Sequence, residues 1–323
     1  MIFCTNYMLF NIVLFIIGIV CLVKGSDWFV DAASIIAERL HVSDLIIGLT
    51  VVSLGTSMPE LATNLFASFY HNNAIVYGNV IGSNFTNVML VLGTGAFIMG
   101  YIKIKDKKLF YRDGTIMISM TLITWGSAVF LGGLPRWLGV LYLVGLAGYL
   151  ALLLNEKKNE LRVNESDNKF VRCRTCIVLL FLLFGLLMIF MGAKVVVDNV
   201  IWFSGKLGIP QAVIAVTVVA LGTSLPELAV TVAGIIKKHN DLALGNIVGS
   251  NIFNLMLILG LSAVIHPLTA FPEIRNFNLP MLVLSDLLLL VFMRWGWNLN
   301  RWKGAVFLLG YVAFLCINFS CML

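Results

Sequence analysis

Apolar residues run along this chain in stretches long enough to cross a bilayer, and nearly all the charge collects in the short segments between them. A helix needs about 20 apolar residues to cross about 30 Å of hydrocarbon. By that measure the pattern predicts ten spans, near residues 8–38, 43–70, 75–100, 114–131, 136–154, 175–205, 210–236, 241–265, 279–293 and 303–319. The fold class this implies is all-α integral membrane. Polar residues and helix breakers interrupt the second span as Gly55-Thr56-Ser57-Met58-Pro59-Glu60 and the seventh as Gly222-Thr223-Ser224-Leu225-Pro226-Glu227. An acid at membrane depth costs roughly 3 kcal/mol on insertion scales and usually serves a function. Here that cost is met twice, in matching places.

The two blocks stand 167 residues apart, and sliding the chain by that distance aligns residues 25–93 with 192–260 without a gap, roughly 27 of 69 positions being identical. Identities gather on polar and helix-breaking residues: Asp31 with Asp198, Thr50 with Thr217, Pro59 with Pro226, Gly78-Asn79 with Gly245-Asn246, and Gly82-Ser83-Asn84 with Gly249-Ser250-Asn251. Each half holds five spans, an odd number, so the second half enters the membrane from the opposite side. The predicted organisation is a first five-helix repeat over 1–154, a cytoplasmic linker over 155–173 and a second, inverted five-helix repeat over 174–323. Inverted repeats with Gly- and Pro-interrupted helices in corresponding positions point to a secondary transporter with its site near the bilayer midplane.

Composition agrees: 60% of the 323 residues are hydrophobic and 12% charged, too apolar for a water-soluble domain. The net charge of +6 would suit nucleic acid, but the basic residues sit in short loops beside spans, where topology accounts for them. Arg39, Lys103, Lys105, Lys107, Lys108, Arg112, Lys157, Lys158, Arg162, Lys169, Arg172, Arg174, Lys237, Lys238, Arg294, Arg301 and Lys303, 17 of the 22, fall on the side away from the termini. Cytoplasmic loops hold the positive excess, so both termini are expected to be extracellular, in a multi-pass protein of the plasma membrane. The opening residues lack a basic n-region and a small-residue cleavage site, so the first span is expected to be retained. Cys173 and Cys176 form a lone Cys-x-x-Cys with no second pair, and read as ordinary thiols.

Proline removes an amide hydrogen and clashes with the carbonyl four residues back, here that of Gly55 or Gly222. The second and seventh helices are therefore expected to break, and loosened carbonyls at that depth need a cavity, water or ion. The local inventory is hydroxyls of Thr56, Ser57, Thr223 and Ser224, carboxylates of Glu60 and Glu227, and carbonyls near Ser53 and Ala220. In the following helices Gly78 and Gly82, like Gly245 and Gly249, permit close approach. Ser83 and Asn87, and likewise Ser250 and Asn254, share a helical face four residues apart. All are hard oxygen donors, suiting Ca²⁺ with its six to eight oxygens better than Mg²⁺. No thiol or imidazole is placed to select zinc, copper or iron. Na⁺ shares the size and the preference for oxygen, and competition for one cage is the basis of antiport.

The paired Gly-Thr-Ser-x-Pro-Glu and Gly-Asn-x-x-Gly-Ser-Asn blocks resemble the two alpha-repeats of the cation/Ca²⁺ exchanger superfamily, most closely its prokaryotic Na⁺/Ca²⁺ exchangers. The repeats would cover about 43–100 and 210–265. The resemblance implies ten helices, with spans 2, 3, 7 and 8 enclosing three Na⁺ sites and one Ca²⁺ site, and electrogenic exchange. It implies Ca²⁺ ligands at Glu60 and Glu227 and the carbonyls of Thr56 and Thr223. Flanking Na⁺ sites would use Ser53, Ser57 and Ser83 in one half and Ala220, Ser224 and Ser250 in the other, with Asn87 and Asn254 lining the middle. The K⁺-dependent branch carries an aspartate where Asn254 stands, which argues against K⁺ co-transport. Alternating access would follow from sliding of the first and sixth spans against the core. Ca²⁺ and Na⁺ are then substrates; no cofactor, enzyme activity or nucleic-acid partner is expected, the linker is too short for a regulatory Ca²⁺ domain, and a monomer should suffice.

Other readings remain open on the residues alone. A H⁺/Ca²⁺ antiporter would also use buried glutamates, although the Thr-Ser pairs favour a metal ion. A channel would need a continuous pore and filter, and a hydrolase using Glu60 and Glu227 as acid and base would need a nucleophile or metal motif that the sequence lacks. Asp286, central in the ninth span, is either part of an ion path or a hydrogen-bonded core acid. Asp31 and Asp198 are expected in ion pairs near span ends with Lys24 and Lys194. His41, His71, His239 and His266 lack metal-ligand spacing and are expected at the interfaces.

Overall fold

In the computed structural model, which describes residues 2–40, 42–156, 175–206 and 220–322, the apolar runs are helical and the breakers fall between or within them. Helix is the form an apolar chain can take without water, since it satisfies its own backbone groups. Six helical stretches are long and apolar enough to cross a membrane: Phe10–Leu40, Asn73–Met99, Arg136–Asn155, Thr175–Asn199, Asn240–Ile265 and Ile274–Arg294. A seventh is the bent pair Asp44–Thr56 and Met58–Phe69. The remaining predicted spans coincide with the 16-residue helix Thr115–Phe130, the short helices Ala220–Thr223 and Leu225–Ile236, and the 22-residue helix Arg301–Met322. The linker predicted at 155–173, with Cys173, lies almost wholly outside the described residues; Cys176 is a free, exposed thiol.

Burial separates the helices into a centre and a periphery. The Asn73–Met99 and Asn240–Ile265 stretches are 72% and 83% buried, against 28% for Phe10–Leu40 and 33% for Thr175–Asn199. The two central stretches are the third and eighth predicted spans. Both carry a π-helical turn at the same point of the repeat, Asn87–Leu92 and Asn254–Leu259. Such turns are rare and often mark functional sites. The Asn240–Phe253 helix packs on Asp44–Ile47 and Gly48–Val52, and glycine makes this possible. A Cβ on Gly245 would lie 2.8 Å from the Leu45 carbonyl oxygen, and one on Gly249 would lie 2.8 Å from the Leu49 Cα. The expected close approach is thus met at Gly245 and Gly249. For Gly78 and Gly82 the matching partners, by the register of the repeat, fall within 207–219, outside the described residues.

The peripheral pair, Ile2–Leu40 and Thr175–Lys206, run along each other through two reciprocal glycine contacts. A Cβ on Gly25 would stand 2.9 Å from the Gly185 oxygen and one on Gly185 the same distance from the Gly25 oxygen; Gly18 and Gly192 meet likewise. Their outer faces, with Phe10, Ile16, Val20, Leu180 and Leu183, are exposed and apolar.

Two short antiparallel strand pairs close the loops, Tyr101–Lys103 with Asn298–Asn300 and Gly133–Leu134 with Leu268–Thr269. A shift of 167 residues carries one pair onto the other to within a residue, so the repeat extends into the loops. Lys303 closes the Leu279–Arg294 helix by donating to the carbonyls of Phe292 (2.8 Å), Asn298 (2.7 Å) and Trp295, as suits a cation at a helix C-terminus. The expected partner of Asp31 is corrected: its carboxylate pairs with Lys237 at 2.8 Å, across helices, and not with Lys24. No ion pair between Lys194 and Asp198 occurs among those the described residues make.

Replacing Gly25 by leucine should force the peripheral helices apart and cost about 1–3 kcal/mol, as overpacking does, seen as a lower melting temperature in detergent. Gly148 is exposed, with nothing within 4 Å of its Cβ position. Its replacement by alanine should leave the melting temperature unchanged or raise it slightly, since helical glycine costs about 0.5–1 kcal/mol relative to alanine.

Candidate cation site

The chain leaves helical geometry at Ser57, with φ −82° and ψ 7°, and at Ser224, with φ −90° and ψ 3°. Each proline then stands in the first turn of a new helix, Met58–Phe69 or Leu225–Ile236, where its missing N–H is not needed. In the first half the two pieces meet at 50°. The break falls two residues before the proline and throws Glu60 and Glu227 into the first turn of the second piece, an end that favours negative charge.

Both glutamates are buried, Glu60 at 0% and Glu227 at 1% exposure. The two halves interlock at them. Ser57 of the first half donates to Oε1 of Glu227 of the second at 3.2 Å, while Ser83 donates to Oε1 of Glu60 at 3.4 Å. Thr223 stands beside the Glu60 carboxylate and Thr56 beside that of Glu227. Thr56 donates to Oδ1 of Asn246 at 3.1 Å and lies 3.5 Å from the Ser250 hydroxyl. The Ser53 hydroxyl turns back to the Thr50 carbonyl at 3.2 Å. Ser224 is buried without a partner, and Ala220 opens the helix that leads into the second break.

Asn87 and Asn254 sit at the start of the two π-helical turns and are buried. Asn87 donates its amide to Oδ1 of Asn251 at 3.0 Å and Asn254 donates to Oδ1 of Asn84 at 2.8 Å. Asn84 and Asn251 in turn donate to each other's backbone carbonyls at 3.2 and 3.3 Å. The structure therefore joins ten of the twelve residues singled out from sequence to one another or to this asparagine group, Ser224 and Ala220 being the exceptions. It adds four that were visible only as motif letters: Asn84 and Asn251, and Asn79 and Asn246, which bond Asn64 and Thr231 behind the glutamates. The 167-residue duplication was the signal that could have found them.

Within this site Oε2 of Glu60, Oε2 of Glu227, Oδ1 of Asn87 and Oδ1 of Asn254 are buried acceptors with no donor among the described residues. A buried acceptor left unsatisfied costs about 1–3 kcal/mol, more if charged. None of the described ion pairs involves Glu60 or Glu227, whereas Asp113, fully buried, is met by Arg112 at 2.6 Å and by the Tyr149 hydroxyl at 2.9 Å. Among the described residues no cluster of three or more His, Cys, Asp or Glu is present. The donor set is two carboxylates with neutral hydroxyl and amide oxygens, which suits a hard cation.

Comparison with known proteins decides the family. A family model described as sodium/calcium exchanger protein matches residues 10–155 and 177–320. The chain belongs to the sodium/calcium exchanger family. It is 36% identical over 346 residues to the sodium/calcium exchanger MaX1 of Methanosarcina acetivorans, covering 96% of this chain and 98% of that protein. It is 32% identical to the inner membrane protein YrbG of Escherichia coli, covering 96% and 97%. A solved structure of the sodium-calcium exchanger NCX_Mj, soaked with 2.5 mM Na⁺ and 0.1 mM Ca²⁺, superposes with a TM-score of 0.81 at 32% identity, covering 95% of this chain and 98% of that one. This exchanger-family chain is accordingly a multi-pass membrane transporter and not an enzyme.

Asp286 lies apart from the glutamate site in the contacts described. It is fully buried in Leu279–Arg294, and Thr121 donates to its Oδ2 at 2.7 Å. The Thr121 bond favours a core acid, while Oδ1 has no donor among the described residues. Thr121→Val should lower stability by about 1–3 kcal/mol in a thermal melt while Ca²⁺ uptake by the surviving protein stays within about twofold of the parent. A loss of uptake at full stability would place Asp286 on the ion path instead.

Proposed function

We propose that this chain exchanges Na⁺ for Ca²⁺ by alternating access, with both ions competing for the oxygens around Glu60 and Glu227. The observation that carries the reading is the set of four buried acceptors of this site that have no donor among the described residues, two of them on carboxylates that none of the described ion pairs neutralises. Two carboxylates balance one Ca²⁺ in charge. The Ca²⁺ would take Glu60 and Glu227 with the carbonyls of Thr56 and Thr223. Na⁺ would take Ser53, Ser57 and Ser83 on one side and Ala220, Ser224 and Ser250 on the other, with Asn87 and Asn254 between.

The architecture proposed is ten spans in two inverted five-helix repeats, 1–154 and 174–323, joined by a cytoplasmic linker at 155–173, with both termini outside the plasma membrane. A single chain contains the whole site, so a monomer suffices. The peripheral helices Ile2–Leu40 and Thr175–Lys206, which are among the least buried spans and pack on each other through paired glycines, would be the pair that slides against the central helices. Three Na⁺ against one Ca²⁺ moves one net charge, and a membrane potential of 100 mV would then bias each cycle by about 2.3 kcal/mol.

Proteoliposomes loaded with Na⁺ and diluted into Ca²⁺ should take up Ca²⁺ only while the Na⁺ gradient lasts, and faster with the interior positive, since one net positive charge leaves in each cycle. Uptake driven by a pH gradient and indifferent to Na⁺ would make the protein a H⁺/Ca²⁺ antiporter; passive flux with no counter-ion would make it a channel. Glu60→Gln and Glu227→Gln should each lower uptake at least about 100-fold, since each removes one charge from a buried, desolvated pair of ligands, with the melting temperature kept or raised.

A further inference from the structure

Whether an asparagine can serve a cation depends on which end of its amide faces the ion, because Oδ1 is a ligand and Nδ2 is a repulsive donor. In a site with only two carboxylates, the orientation of Asn87 and Asn254 decides whether two neutral ligands are present or absent. Their orientation is set by their neighbours. Asn84 donates Nδ2 to the backbone carbonyl of Asn251, and Asn251 donates Nδ2 to the backbone carbonyl of Asn84. A backbone carbonyl can only accept, so these two bonds fix both side chains without ambiguity. The Oδ1 of each is then turned to the next neighbour and can only accept. Asn84 Oδ1 accepts from Asn254 and Asn251 Oδ1 accepts from Asn87. The Nδ2 of Asn254 and of Asn87 being thus engaged, their Oδ1 atoms are left buried with no donor among the described residues.

We propose that Asn84 and Asn251 are positioning residues for ion selectivity, a two-fold clasp that holds the amide oxygens of Asn254 and Asn87, and not their NH₂ groups, toward the cation. The proposal rests on the cation-site reading above. All four asparagines are at most 1% exposed, so water does not compete for the orienting bonds. The clasp spans the two halves, each asparagine being turned by a residue of the opposite repeat. Neither orienting residue needs to touch the ion.

The clasp matters only while position 254 has two unlike ends. In the chain as it stands, Asn84→Ala frees the Asn254 amide to turn, and the Ca²⁺ concentration for half-maximal uptake in proteoliposomes should rise about 10–100-fold, the usual effect of removing a group that orients a metal ligand. The maximal rate should stay within about twofold. Asn254→Asp presents an oxygen whichever way it turns, so Asn84→Ala introduced into an Asn254→Asp background should shift half-saturation by less than about twofold relative to that background. Equal shifts in both backgrounds would mean that Asn84 acts through packing alone, and would overturn the proposal. If Asn84→Ala does not elute as folded protein, the mate pair Asn251→Ala with and without Asn87→Asp makes the same comparison. Failure of the underlying reading is distinguishable in the same vesicles: Glu60→Gln would then leave Ca²⁺ uptake intact.

Discussion

Two carboxylates, Glu60 and Glu227, are buried, and none of the ion pairs among the described residues reaches them. Removing a single carboxylate from water costs several kcal/mol after relaxation, and the rest of the architecture follows from meeting that cost. Helix breaks at Ser57 and Ser224 aim two helix N-termini at the acids. Ser83 and Ser57 each donate to Oε1 of one carboxylate, and Oε2 of each has no donor among the described residues. Asp113 marks the contrast. It is buried to the same degree, yet Arg112 and Tyr149 complete it, leaving nothing to bind.

The site is built by doing the same thing twice and letting each half finish the other. Ser57 reaches across to Glu227, Thr223 stands beside Glu60, and the asparagines cross in the same manner. Such cross-bonding ties the central helices into one unit, while the peripheral pair packs chiefly on itself, through paired glycines and apolar side chains such as Leu22, Phe29 and Ile189. A division between a cross-braced centre and a separately packed peripheral pair is what a transporter needs if the site is to stay intact while access changes. The symmetry is not complete. Lys237 ties the first helix through Asp31, and His239 bridges Ser34 and Asp44, but the register places Tyr70 and Asn72 at the matching positions. Ion-pair ties of this kind to the first helix therefore exist at one end only.

By itself the sequence determined the class of the protein, the repeat and the chemistry of the ligands. Spans are legible because hydrocarbon permits little besides long apolar helices. The breaks are legible because proline's effect on a helix is local, and Glu60 and Glu227 stood out because an acid in such a run is costly wherever it packs. Only the tertiary structure decided who partners whom. Asp31 looked tied to the nearby Lys24, yet its ion pair is with Lys237, a residue far along the chain. Asn84 and Asn251 were letters in a motif until packing set them against each other's carbonyls. Periodicity and propensity act between near neighbours, whereas a hydrogen bond between residues 167 positions apart depends on how helices cross, and that is fixed by the fit of many side chains at once.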